Sequence, residues 1–137
     1  MAPNKAYDVT GYAFSAGERV LVDANVWLFL FPPTAQPPHA STRSYSAAMK
    51  NLLTANARPV VNAIVLSEYL NRYWQIEWGA WRKLNKTAAK TLPRPKNFRT
   101  SPHFGPIGAA AVADARLIVK QCSRQQTPLQ SVNLDEV

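Results

Sequence analysis

The apolar residues of this chain fall into short runs separated by prolines and polar clusters. Arg19-Val20-Leu21-Val22 is brief, partly β-branched and stops at Asp23, and a second apolar run through Val26-Trp27-Leu28 follows at once. That order predicts a buried strand over Arg19 to Val22, an acid at its carboxyl end, and a short helix over Asn25 to Phe31 that Pro32 and Pro33 stop. Pro32 to Ser41 holds four prolines and no acid, the composition of a loop. Tyr45, Ala48, Met49, Leu52 and Leu53 recur at helical spacing within Thr42 to Ala55, with Ser41 or Thr42 as candidate caps. Pro59-Val60-Val61 follows that helix and predicts a second strand, parallel to the first. From Ala63 a long helix is expected to near Lys83, carrying Leu66, Leu70, Tyr73, Trp74 and Trp81 along one stripe with Trp78 beside it. Ile107 to Gln126 reads as another helix, bearing Ala111, Val112, Ala115, Ile118, Val119 and Cys122 and stopped by Pro128. Ser131 to Val137 would begin a further strand or helix. The alternation predicts one α/β domain over residues 19–137 with a small parallel sheet, behind a loosely ordered lead-in over residues 1–18.

Charge adds a partner to this picture. The formal net charge is +8 over 137 residues, which favours an anionic partner such as nucleic acid without choosing between RNA, DNA and an acidic protein. Much of the excess lies in one stretch. Arg82, Lys83, Lys86, Lys90, Arg94, Lys96 and Arg99 occur with no acid among them, and Pro93, Pro95 and Pro102 break any long helix. An exposed basic loop over about residues 82–103 is expected to bind RNA through phosphates. A solvated loop that merely aids solubility is the plain alternative. The aromatic residues Tyr69, Tyr73, Trp74, Trp78 and Trp81 could stack on bases, although aromatics at this spacing ordinarily fill a core.

Several chemistries are disfavoured. The single Cys122 excludes an intramolecular disulfide, and His39 and His103 lie far apart with no ligand spacing for zinc. No Ser/His/Asp arrangement suggests a nucleophilic triad. No charged-then-apolar leader is visible and no apolar run is long enough to span a bilayer, so a cytoplasmic location without membrane partners is the default expectation.

The acids point elsewhere. Asp23 follows the first predicted strand, and Glu68 lies in the first turns of the helix after the second, within Ser67-Glu68-Tyr69-Leu70. Ligands bind outside the carboxyl ends of parallel strands, and two carboxylates gathered there repel unless a cation lies between them. Oxygen ligands of this kind suit Mg²⁺ or Mn²⁺. Each acid also has a plainer role open to it: Asp23 as a helix N-cap and Glu68 as an i,i+4 partner of Arg72.

Leu21-Val22-Asp23-Ala24-Asn25-Val26-Trp27-Leu28, followed some forty residues later by Ser67-Glu68-Tyr69-Leu70-Asn71-Arg72, resembles the first two motifs of a PIN domain. The resemblance implies a three-layer α/β/α sandwich with a small parallel sheet, and a Mg²⁺- or Mn²⁺-dependent endoribonuclease, often the toxin of a type II toxin–antitoxin pair. By it, Asp23 and Glu68 are metal ligands, Asn25 orders the first acid or its water, and Ser67 is a weaker supporting candidate. RNA and an antitoxin protein would be the partners. The family's third and fourth acids are not matched: Asp114 lies mid-helix, and Asp135 and Glu136 are the last acids of the chain. The domain is therefore expected to lack its C-terminal part, to be a weak nuclease, and to form a homo-oligomer or bind a partner over an uncovered sheet edge. The rival readings are a non-catalytic module that binds nucleic acid or antitoxin, and a structural partner completed by another chain.

Overall fold

The computed structural model describes residues 11–36 and 39–123. The elements are β1 (Arg19–Leu21), α1 (Ala24–Leu30), α2 (Ala40–Thr54), β2 (Arg58–Val60), α3 (Ala63–Leu84), α4 (Lys86–Ala89), α5 (Pro95–Arg99) and α6 (Phe104–Ser123). β1 and β2 pair in parallel, with Arg19 opposite Arg58 and Leu21 opposite Val60. The Arg58 N–H donates to the Glu18 carbonyl at 2.6 Å and the Val22 N–H to the Val60 carbonyl at 3.2 Å. Pro59 sits between these rungs, where its missing N–H costs the ladder nothing.

The expected three-layer sandwich is not what the chain forms. The described structure is 65% helix, and its sheet has two strands of three residues each. Among the described residues after β2 the apolar stripes have helical period, and α3 buries its surface against α1 and α6. On α6, Ala111, Ala115, Ile118 and Cys122 follow a step of four, three, four and face Leu66, Tyr69 and Tyr73 of α3 within one core. Val22 and Val61, just past the two strands, and Trp27 and Leu28 of α1 close that core. Burial pushes the Cys122 thiol up to about 12, so it packs as a small apolar side chain.

Helix starts follow local chemistry. Asp23 caps α1, and Asn62 caps α3 through a 2.8 Å bond from the Val65 N–H. α2 begins earlier than its apolar pattern suggests, at Ala40, so the cap is His39 and not Ser41 or Thr42; His39 Nδ1 accepts from the Ser41 N–H at 3.0 Å. Asn56 turns the chain from α2 into β2 at φ 60°, a left-handed conformation that asparagine tolerates. Ahead of β1, the Glu18 carboxylate accepts from the Tyr12 hydroxyl and the Ser15 N–H, which pins part of the lead-in.

The segment expected to be a loop is partly helical. α3 continues through Leu84, and α4 and α5 follow, with Pro95 in the first turn of α5, where proline is tolerated. Phe98 explains why the segment folds back. It is fully buried, with ring centroids 5.1 Å from Trp81, 6.2 Å from Phe104 and 6.4 Å from Trp78. Trp81 also packs against His103 at 4.8 Å. These tilted and edge-on ring contacts anchor α5 to α3. The expected continuation of the last helix to Gln126, and the expected element over Ser131 to Val137, lie outside the described residues. Among the described residues no helix is long and apolar enough to cross a membrane.

Candidate cation and nucleic-acid site

The parallel register aligns Leu21 with Val60, so the next turns of chain emerge together, and Asp23 and Asn62 each lie two residues on. One Asp23 oxygen, Oδ2, accepts from the Asn25 N–H at 3.2 Å as the α1 cap. The carboxylate is otherwise exposed. The cap role and a ligand role are therefore compatible, since a carboxylate offers about four lone-pair directions. Glu68 is exposed in the second turn of α3. Its neighbour one turn on, Arg72, does not serve it as sequence spacing suggests. Arg72 Nη1 donates to the Asn25 side-chain oxygen. That bond joins the first turn of α1, next to Asp23, to the flank of α3 that carries Glu68.

The other expected site residues divide. Asn25 is in the cluster, held by Arg72. Ser67 is exposed on a different flank, where it lines a crevice with Leu70, Trp74, Arg99 and Phe104. Asp114 lies on α6 beside Tyr73 of α3, whose phenol it acts on through its charge and a side-chain hydrogen bond. Asp135 and Glu136 lie outside the described residues. Among the described residues no group of three or more His, Cys, Asp or Glu side chains could hold a metal ion. Asp23 and Glu68 are thus exposed carboxylates on the two segments that follow β1 and β2, while the Asn25 side-chain oxygen is taken by Arg72. Exposed carboxylates suit a hard cation whose shell is completed by water and substrate phosphate.

Asp114 has a measurable consequence of its own. Burial, then the Asp114 charge and hydrogen bond, push the Tyr73 phenol from 10.0 up to about 12; burial and Asp114 raise Tyr69 as well. Above pH 10 the unfolded tyrosine gives up its proton while the folded one keeps it. Stability contributed by Tyr73 is therefore complete below pH 10 and is lost as pH rises toward about 12. Urea midpoints measured over that range should fall with pH, and fall less steeply in Tyr73→Phe.

The seven cations Arg82, Lys83, Lys86, Lys90, Arg94, Lys96 and Arg99 are all exposed. Four of them, Arg82, Lys83, Lys86 and Lys90, surround a hollow of about 620 Å³ together with Gly79. The Arg82 guanidinium lies 4.7 Å above the Trp78 ring and that of Arg99 lies 5.4 Å above Trp74, which orients both cations.

Arg72, read from the sequence as a partner for Glu68, and two residues that sequence reasoning did not single out, Gln75 and Gly79, lie between this hollow and the acids. Glu68, Arg72, Gln75, Gly79 and Arg82 step along α3 by four and three, and so share one stripe. Four of the five are exposed and Gly79 is half-buried. A Cβ on Gly79 would meet nothing within 4 Å, so internal packing does not require glycine there. A glycine inside a helix costs about 1 kcal/mol relative to alanine. The signal was present in the sequence as an uninterrupted polar i, i+4, i+7 face.

Comparison of the chain with protein-family models, curated proteins and solved structures finds no match.

Proposed function

We propose that this protein is a metal-dependent ribonuclease of the kind its two motifs resemble, the PIN-domain endoribonucleases. In it, Asp23 and Glu68 hold Mg²⁺ or Mn²⁺, and α3 guides the RNA strand. The observation that carries the reading is the α3 stripe. From Glu68 to Arg82 it spans about 21 Å along the helix axis, and it joins a basic hollow to an acidic sheet edge without an apolar interruption. A bound divalent ion would supply Lewis-acid polarisation and a water of lowered pKa. The chain's own residues do the positioning. Asp23 and Glu68 supply anionic oxygens, Arg72 holds Asn25 at the α1 terminus, and the cations from Arg82 to Arg99 bind phosphates. With two carboxylates the ion is weakly held, and turnover is slow. By the same resemblance the protein partner would be an antitoxin that presents acidic side chains to the basic face.

The second reading is a binding module without catalysis. Engagement of Asp114 by Tyr73, away from the other acids, favours it. Both readings need the basic surface. Changing Lys86, Lys90, Arg94 and Lys96 together to Gln should weaken single-stranded RNA binding and lower the slope of log affinity against log salt by about 3. An unchanged slope, measured by fluorescence anisotropy, would leave the surface without that role. Cleavage of the RNA in Mn²⁺ by the unaltered protein then separates nuclease from module.

A further inference from the structure

A second cleft opens beside Arg72. It has a volume of about 790 Å³ and lies between α1, α2 and α3, within the size range of small-molecule sites. Its apolar lining includes Leu28, Phe29, Tyr45 and Ile76. The rings on that lining are ordered. Phe29 and Tyr45 are stacked at 5.4 Å with an interplanar angle of 20°, and the His39 ring lies 4.9 Å from Phe29, tilted by 38°. Unlike the tryptophans around Phe98, this column borders an open volume. The polar lining is three amides and one cation, Asn25, Gln36, Gln75 and Arg72, with no carboxylate. Gln36 is fixed by a 3.2 Å bond from its Nε2 to the Leu28 carbonyl, and Asn25 by Arg72. Each fixed amide keeps further hydrogen-bonding capacity, and Arg72 has four more N–H groups.

We infer that this cleft binds one nucleotide of a single-stranded RNA, with the base against the Phe29–Tyr45 column, its edge toward Gln36 and Gln75, and its phosphate at Arg72. Single-stranded RNA is read in this way, by aromatic stacking and by amides that donate and accept at base edges. A duplex keeps its bases stacked and offers no ring to the column. Arg72 lies one turn from Glu68, about 6 Å along α3, so a nucleotide held here has its phosphate next to the two acids. The inference rests on the RNA reading of the function, and adds where the strand is gripped and which form of RNA is chosen.

The test uses the full chain without divalent metal. The four nucleoside 5′-monophosphates, and inorganic phosphate as the control, are titrated while NMR follows the side-chain amides of Gln36 and Gln75 and the ring of Tyr45. Nucleotides should move these signals and phosphate alone should not. Tyr45→Ala should weaken binding of a single-stranded oligonucleotide by about fivefold to a hundredfold and leave a duplex of the same sequence unchanged. Since Tyr45 is half-buried, Gln75→Glu provides a check at an exposed position: its carboxylate should repel the phosphate and weaken the same binding with the thermal midpoint unaltered. Equal responses to phosphate and nucleotides, or shifts confined to Arg82 through Lys90, would overturn the inference. Nucleotide binding without Mn²⁺-dependent cleavage would end the nuclease reading and leave the base site standing. Cleavage with no response in the cleft would do the reverse.

Discussion

Replacing Asp23 with Asn is expected to lower Mn²⁺-dependent cleavage of single-stranded RNA by about 100-fold or more while leaving the protein folded. An ion that polarises a phosphoryl oxygen contributes several kcal/mol to the transition state, and each 1.36 kcal/mol is a factor of ten in rate. The substitution is chosen because Asp23 has two duties. Its Oδ2 caps α1 by accepting from the Asn25 N–H. Asparagine caps about as well as aspartate, whereas alanine costs about 1 kcal/mol. Asp23→Asn therefore removes the anionic ligand and keeps the helix start, and Asp23→Ala removes both. Glu68 is exposed and caps nothing, so Glu68→Gln should reproduce the rate loss with no change in thermal midpoint. If the two acids serve one ion, the double variant falls no further than either single one. Loss of activity only in Asp23→Ala, with Asp23→Asn still active, would assign Asp23 to the helix cap alone.

Trp27→Ala should be the most damaging core substitution. Trp27 is fully buried where α1 meets α3, in the core that also holds Val22, Leu66 and Ile118. Truncating a buried aromatic costs about 3–5 kcal/mol, a large share of the 5–15 kcal/mol that holds a domain together. A drop of roughly 10–20 °C in midpoint follows for a chain of this size. Among the described residues the buried indole Nε1 has no hydrogen-bond partner. The stabilisation therefore comes from the ring's packing and not from a polar contact. Trp27→Phe keeps most of that packing and removes an unsatisfied donor, so it should cost well under half as much. Equal losses in the two variants, read by thermal or urea unfolding, would contradict this account.

Both strand–helix junctions were legible because each is marked by chemistry as well as by hydrophobicity. A short apolar run ends at Asp23 or near Asn62, and these residues cap the following helices. The long helix from Ala63 was legible for its period. What lay outside sequence reasoning depends on tertiary contacts. Phe98 is one ring in a cationic, proline-broken stretch, and only its burial among Trp78, Trp81 and Phe104 organises α5. Asp114 sits on a regular helical pattern, and its bond to Tyr73 follows from how α6 crosses α3. Arg72 looked like an ion-pair partner for Glu68, but a nearer acceptor on α1 takes it. The layered sandwich failed for a related reason: two strands of three residues cannot cover α1, α3 and α6, so the helices cover one another.

The central claim is that Asp23 and Glu68 belong to one cation site at the carboxyl end of the parallel pair. It is tested most directly by adding substoichiometric Mn²⁺ to the ¹⁵N-labelled protein and recording paramagnetic broadening of the amide signals. The account predicts that broadening concentrates on residues 23–25 and 67–72 together, and disappears from both segments in either Asp23→Asn or Glu68→Gln. Broadening of one segment without the other, or of residues around Asp114 instead, would contradict it.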